Sequence, residues 1–466
     1  MRTLNFEKVR FDLNVILCAI KAERFKLLRF FCTFNKDANF CLLFNRERRS
    51  FIRITMKRYL VLLYSFILFI TSGRCTVLAA GTSKDGRTSG VTKPITGAER
   101  TADYLPYLAG KKIAMVINQT SIIGDRLSVD SLRELGVNIV KIMGPEHGFR
   151  GEASAGAEVK SSVDAQTGIP VLSLYGDHKK PSPEDLKDID LVIFDIQDVG
   201  TRFYTYISTL HNVMEACAEN QVELMILDRP NPNGFYVDGP IREKGFESFI
   251  GMHPVPIVHG MTIAEYAEMI NGEGWLKDKV RCKLKIVKME NYSHDMPYVV
   301  PVKPSPNLNS QQSVLLYPSL CLFEGTIISQ GRGTYFPFQV LGSPALKGRY
   351  PYVFTPVSIP GMAETPLHMD QKCYGIDLRK YDSRLFRKAQ RINLEWLIEL
   401  YKAYPDKEKF FDFKQSKQIG NFDKLAGTDK LRQQIISGKT EREIRQSWEP
   451  GLSEFKQMRK KYLLYD

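Results

Sequence analysis

The sequence predicts an α/β protein, a doubly wound parallel sheet followed by a second, smaller domain, on three observations. Apolar runs of strand length alternate with helical segments between residues 100 and 250; polar loops follow those runs; and from Val255 the texture changes to short strands, Pro-rich turns and a Gly-rich segment. Continuous apolar strands are what a sheet covered on both faces requires, since neither face meets water. Strands alternating with helices imply parallel crossovers.

The candidate strands are 112–118 (KIAMVIN), 137–143 (VNIVKIM), 169–174 (IPVLSL), 190–195 (DLVIFD) and 223–228 (ELMILD). Helices are expected around 129–135, 183–187 and 204–219, the last carrying Ile207, Leu210, Met214 and Cys217 on one face. The sheet domain is assigned to 99–252 and the second, α+β domain to 253–466. In the latter a short strand over 255–258 precedes a helix starting at Thr262, where Thr262 and Glu265 make a capping box, and Thr440 and Glu443 make another ahead of a charged terminal helix.

The formal charge of +13 invites a nucleic-acid partner, but its distribution removes that reading. Residues 1–55 carry 12 basic and 5 acidic side chains, and 56–75 carry three basic and none acidic, which leaves 50 against 47 in the remainder. Met56-Lys57-Arg58, the apolar run 60–70 and the small residues before Ala80 have the order of a signal peptide over 56–79. The run is too short for the roughly 20 residues that span a bilayer. Export to the periplasm or beyond is therefore expected, with translation starting at Met56, residues 1–55 an extension, and 80–98 a Gly/Ser/Thr/Lys-rich linker. A lipid anchor at Cys75 is disfavoured by Arg74 where a small residue belongs. Cys217, Cys282, Cys321 and Cys373 have neither disulfide-scaffold nor zinc spacing and read as small buried apolar residues.

The sequence holds no G-x-G-x-x-G after a strand, no G-x-x-x-x-G-K-[ST], no G-x-S-x-G and no H-E-x-x-H, which argues against dinucleotide, P-loop, α/β-hydrolase and zincin chemistry. Of seven histidines only His147 and His259 fall in polar loops near the expected site, so a metal centre is unsupported and no cofactor is expected. Carboxylates among glycine, arginine and aromatic residues remain. Four polar loops follow strands, at 118–120, 144–151, 195–202 and 228–233, on the edge where open parallel sheets bind ligands. Glu146 sits on the Gly-bounded second loop and suits a proton donor for glycosidic hydrolysis, which needs a second carboxyl group about 5 to 9 Å away. Asp195, Asp198, Asp228, Glu265 and Glu324 are candidates for that group. Glu265 is accounted for by its capping box, Asp195 directly ends its strand, and Glu324 lies in the second domain, where it can close the site from the other side. Arg150, Arg202, Arg229 and Arg332 suit a small acidic ligand, because a guanidinium pairs bidentately with a carboxylate. Phe203, Tyr204 and Tyr206 offer stacking faces.

Taken in order, GPEHGFRGE (144–152), FDIQDVGTRFYTYI (194–207), LDRPNPNG (227–234), HGMTIAEYA (259–267), PSPN (304–307) and FEGT through GRGT (323–334) resemble the exo-β-N-acetylmuramidase family of bacterial cell-wall recycling (NamZ-like, glycoside hydrolase family 171). The resemblance covers essentially all of the chain from residue 100 on. It implies a Rossmann-like domain that binds no dinucleotide, an interdomain cleft, and release of N-acetylmuramic acid from the non-reducing end of peptidoglycan-derived glycans. Glu146 is then a catalytic carboxylate, with Asp195 and Glu324 as candidate partners. His147, Arg150, Gln197, Asp198, Arg202, Tyr206, Asp228, Asn231, His259, Asn307 and Arg332 are the expected substrate-binding residues. N-acetylmuramic acid differs from N-acetylglucosamine by a lactyl carboxylate, which Arg202 or Arg332 is expected to read. The partners expected are glycans of alternating N-acetylmuramic acid and N-acetylglucosamine, with no nucleic acid and no membrane span; the competing expectation is a cell-wall lectin without turnover.

Overall fold

A computed structural model of the chain describes residues 93–146, 148–149, 162–411 and 422–466. The expected extension, the signal peptide, Cys75, most of the linker, His147 and Arg150 lie outside the described residues. Among the described residues the strands are β1 (Ile113–Ile117), β2 (Ile122–Ile123), β3 (Arg126–Leu127), β4 (Ile139–Gly144), β5 (Ser162–Val163), β6 (Pro170–Ser173), β7 (Leu191–Asp195), β8 (Glu223–Leu227), β9 (Leu284–Val287), β10 (Val340–Ser343), β11 (Tyr352–Phe354) and β12 (Cys373–Asp377).

The five apolar runs predicted as strands are β1, β4, β6, β7 and β8. They lie in one sheet ordered β5-β6-β4-β1-β7-β8-β9, parallel throughout except for β5, which runs antiparallel to β6 at the edge. Counting only the parallel strands in chain order gives 3-2-1-4-5-6, the doubly wound order whose direction reverses between β1 and its neighbour β7. The central strands β1 and β7 are buried at every position. Successive β1 side chains serve opposite cores: Ile113, Met115 and Ile117 pack with Tyr104, Leu108 and Leu132, whereas Ala114 and Val116 pack with Phe194, Leu210 and Met214.

Two features differ from expectation. The strand β9 pairs with β8, so the sheet runs past residue 252, where the sequence reading divides the chain. Its four residues are mostly half-buried and include Lys285, an edge-strand texture that lacks the apolar run of the interior strands. The segment 255–258 is not a strand: Val258 bridges Thr201 and Asp238 singly, and neighbouring backbone bonds stitch the segment between loops.

Beyond the sheet, the helix Gln311–Leu320 runs into the tight turn Cys321–Gly325, and β10, β12 and β11 form a small antiparallel sheet. Helices Glu395–Ala403, Lys430–Ile436 and Glu441–Arg459 complete this part. Tyr317, Phe323, Phe338, Trp396, Phe410 and Trp448 belong to the same hydrophobic cluster as Phe194 and Leu210, so both parts share one continuous core. Both capping boxes form as expected, at Thr262–Glu265 and Thr440–Glu443. The last residues return to the sheet: Leu464 N–H donates to Glu265 Oε1 (2.8 Å), Tyr465 O–H to Asp228 Oδ2 (2.7 Å), and the Asp466 carbonyl accepts from His294 N–H (3.0 Å).

Burial pushes the Asp228 carboxyl up to about 7, with nearby Glu265 adding to it and the Tyr465, Thr262 and Ala264 donors opposing. An unfolded aspartate titrates near 4, so this site's stabilising contribution is complete below that pH and is lost as pH rises toward 7. Asp228→Asn is therefore expected to flatten the fall in stability between pH 5 and 7, by up to about 1.4 kcal/mol per pH unit, when urea midpoints are compared across that window. Parallel pH profiles for the two proteins would contradict this.

Candidate active site

The carboxyl ends of β1, β4, β7 and β8 bring the predicted polar loops together. Glu146 lies two residues past β4. A Cβ on Gly144 would stand 2.9 Å from Phe149 N, and Gly148 has φ +76°, so these glycines permit the tight loop that carries Glu146. Its side chain is half-buried, with Oε1 accepting from Tyr175 O–H (3.1 Å) and Oε2 from Thr205 Oγ1 (2.8 Å). Thr205 is the N-cap residue of helix Tyr206–Glu219, yet its hydroxyl makes no cap bond and serves Glu146 instead. Burial, then the Glu146 carboxylate, push the Tyr175 phenol up, which keeps it a donor.

A line of aromatic rings leads from this carboxylate into the second part. Tyr206 meets Tyr204 edge-on with centroids 4.8 Å apart, Tyr204 meets Tyr317 at 5.9 Å, Tyr317 meets Phe338 at 4.9 Å, and the Arg332 guanidinium lies 5.3 Å over Phe338. Arg332 donates to Glu324 Oε1 from Nε (2.7 Å) and Nη2 (2.5 Å), and Gln330 Nε2 reaches the same oxygen (3.1 Å). Positive φ at Gly331 (+85°) and Gly333 (+80°) returns the GRGT turn onto the Glu324 turn. Both side chains remain partly exposed, 16% for Glu324 and 24% for Arg332.

Beneath lies a buried polar layer. Asp198 Oδ2 accepts from Gly200 N–H (2.6 Å), while Oδ1 makes no hydrogen bond. His259 Nδ1 accepts from Met261 N–H (3.2 Å), which assigns its proton to Nε2, 3.9 Å from Asp198 Oδ2. Burial, with Arg459 and Arg202 nearby, pushes His259 down to about 3, so it is neutral at pH 7; burial pushes Asp198 up to about 7. Gln197 Nε2 donates to the Asp198 and Pro230 carbonyls (2.8 and 2.6 Å), Tyr206 O–H to the Pro304 carbonyl (3.2 Å), and Asn307 Nδ2 to the Met362 carbonyl (2.7 Å).

Four expected site residues are part of the scaffold instead. Asp195 is fully buried and pairs with Arg229 Nε (2.6 Å). Asp228 is fully buried and takes the Tyr465 hydroxyl and the Ala264 N–H. Asn231 ties Met261 O to the Asn233 N–H (2.9 and 2.8 Å). Arg202 is wholly enclosed; Nη1 donates to the Pro240 and Val255 carbonyls (2.8 and 2.6 Å) and Nη2 to the Leu425 carbonyl (2.9 Å), so it does not reach the cleft. The sequence reading missed Tyr175 and Thr205. Tyr175 follows β6, so extending the loop-after-strand rule to that strand finds it; Thr205 stands within the 194–207 motif at a helix start. Among the described residues no group of His, Cys, Asp and Glu is placed to hold a metal ion, and Cys217, Cys282, Cys321 and Cys373 are buried free thiols.

Residues 113–312 match the N-terminal and 315–465 the C-terminal domain of the family described as exo-beta-N-acetylmuramidase NamZ. The chain belongs to this exo-β-N-acetylmuramidase family. It is 39% identical over 412 residues to the peptidoglycan beta-N-acetylmuramidase NamZ of Bacillus subtilis (strain 168), covering 84% of this chain and 96% of that one. Two solved DUF1343 family proteins of Bacteroides fragilis NCTC 9343 share the fold: BF0379 at 44% identity with TM-score 0.74, and BF0371 at 30% with TM-score 0.66, each covering 80% of this chain and 99% of its own. In this member of the exo-β-N-acetylmuramidase family, Glu146, Glu324 and Arg332 are, among the described residues, the charged candidates that keep partial access to solvent, while Asp195, Arg202 and Asp228 are enclosed.

Their energetics differ accordingly. Arg202→Ala strands three buried carbonyls and is expected to cost about 3 kcal/mol or more. Arg332→Ala, at a partly exposed pair, is expected to cost about 1 kcal/mol. Urea denaturation of the two variants measures the difference; equal losses would contradict the assignment of Arg202 to the scaffold.

Proposed function

We propose that this chain is an exo-acting glycoside hydrolase that releases N-acetylmuramic acid from the non-reducing end of peptidoglycan-derived glycans, in cell-wall turnover and recycling. The observation that carries the reading is Glu146, a half-buried carboxyl group on a glycine-shaped loop at the sheet's carboxyl edge, aimed by Tyr175 and Thr205. Membership of the family supports the same reaction.

Glu146 gives its proton to the glycosidic oxygen as the bond to C1 breaks, so the leaving sugar departs as a neutral alcohol. Glu324 is the partner carboxylate. Arg332 and Gln330 bind its Oε1, while Oε2 takes only the weak donor of the Cys321 thiol (4.0 Å) and is the oxygen that attacks C1 or takes a proton from the attacking water. Arg332 uses Nε and Nη2 on Glu324, which leaves Nη1 for the lactyl carboxylate. Tyr204 and Tyr206, both buried, back the site from within the core. Export by the 56–79 signal brings the enzyme to its substrate outside the cytoplasmic membrane.

Hydrolysis of a chromogenic N-acetylmuramide tests the reading. Glu146→Gln is expected to lower kcat by about 10²–10⁴-fold. Binding without any release by the unmodified protein would instead make the chain a cell-wall lectin, and full activity of the Gln variant would remove Glu146 from the acid role. Arg332→Ala is expected to reduce the preference for muramide over glucosaminide by about 10-fold or more, through the lost charge-assisted contact. Glu324→Gln is expected to slow both substrates alike; an unchanged preference in Arg332→Ala would exclude Arg332 as the reader of the lactyl group.

A further inference from the structure

On the far side of the GRGT turn, the structure has an open groove of about 380 Å³ that the proposed reaction at Glu146 does not use. Tyr335, Phe336, Tyr352, Phe354 and Ile359 line it, and Tyr335 is 78% exposed. Tyr352 stacks on Phe354 with centroids 6.0 Å apart, and the Arg379 guanidinium lies over both Phe336 (4.8 Å) and Tyr352 (5.4 Å). Of these rings Tyr335 stands in open water, while Phe336 and Tyr352 are half-buried beneath Arg379 and Phe354 is buried, so the free contact surface of the groove is centred on Tyr335, and its chemistry limits what fills it.

Arg379 is the one charged residue of the lining, and its charge is already matched: Nε and Nη2 hold both Asp377 oxygens at 2.9 and 2.7 Å. The groove therefore offers nothing to a carboxylate, which disfavours a peptide stem or the lactyl group. It suits a neutral ring with one apolar face and a hydroxyl-bearing rim, which is a pyranose such as N-acetylglucosamine. The position fits too. Arg332 of the turn faces Glu324, and the adjoining Gly333 and Thr334 line the groove. The loop whose Pro304 carbonyl receives the Tyr206 hydroxyl also supplies Asn309, whose Nδ2 donates to the Tyr335 carbonyl (3.1 Å). Cleft and groove thus share two segments of backbone.

We propose that this groove is an aglycone subsite, stacking a neutral N-acetylglucosamine ring of the glycan chain on the reducing-end side of the bond that is cut. The assignment rests on the muramidase reading and adds to it a reason for preferring chains to single sugars. Because Tyr335 is mostly exposed, Tyr335→Ala leaves the fold intact. Its expected effect is a loss of about tenfold in kcat/KM for a tetrasaccharide of alternating N-acetylmuramic acid and N-acetylglucosamine, with a change of less than about twofold for 4-nitrophenyl N-acetylmuramide, which carries no N-acetylglucosamine ring beyond the bond that is cut. Equal losses on both substrates, or no loss on either, would overturn the proposal. Titration with chitotetraose, followed by tyrosine fluorescence, separates the subsite from the reaction. Binding to the Glu146→Gln protein that weakens about tenfold when Tyr335→Ala is added supports the groove even if the unmodified protein hydrolyses neither substrate. Chitotetraose binding that ignores Tyr335, or its absence, overturns the groove while leaving muramide hydrolysis standing.

Discussion

The cleft depends on a buried ion pair. Asp195 ends β7 and Arg229 follows β8, and their 2.6 Å contact is almost entirely withdrawn from water, at 0% and 2% exposure. Burial by itself works against the Arg229 charge, and Asp195, with Tyr298 and Glu99 nearby, more than restores it. Arg229 Nη2 also donates to the Ile122 carbonyl (2.8 Å), and the Asp195 carbonyl accepts from the Ser121 hydroxyl. One pair thus pins the loops after β1, β7 and β8 at the point where the strand order reverses, which is where an open sheet leaves room for a ligand. Removing one partner of such a pair leaves a bare charge in the core and typically costs about 3–5 kcal/mol.

Above this scaffold the site is arranged in two layers with different duties. The deep layer, Asp198, His259 and Gln197, is bound to backbone and shaped by burial, which favours the neutral forms of both Asp198 and His259. The shallow layer, Glu146, Glu324 and Arg332, keeps partial access to solvent and is aimed by hydrogen bonds. Chemistry on a polymer end needs the second kind, since a carboxyl group must touch the glycosidic oxygen to protonate it. The first kind holds the loops at the right height. The second part of the chain contributes Glu324 and Arg332 through the shared core, so the two sides of the cleft are held by packing as well as by loops.

The sheet was legible because its interior strands are buried on both faces and therefore read as unbroken apolar runs. The edge strand β9 was not, since half-exposed positions and a lysine erase that pattern. Loops following strands pointed to Glu146, which the fold sets past β4 at the sheet's carboxyl edge, but chemical type alone does not separate solvent-facing charges from enclosed ones. Arg202 and Arg332 look alike in sequence, each beside glycine or aromatic residues; only the fold shows three carbonyls closing around the first. Asp195 and Asp228 are similar cases, each ending a strand and each matched by a residue distant in sequence or brought round from the carboxyl terminus. Tyr175 was missed for a different reason. Its place after β6 fits the loop-after-strand rule, but the carboxylate that its hydroxyl serves lies 29 positions away, and only the fold pairs the two.

The central claim is that Glu146 stands at the bond that is broken. A crystal structure of the Glu146→Gln protein soaked with N-acetylmuramyl-N-acetylglucosamine measures this directly. The glycosidic oxygen is expected within about 3 Å of the residue 146 side chain, with the lactyl carboxylate against Arg332. A sugar bound with that oxygen out of reach of residue 146, or seated elsewhere on the protein, would contradict it.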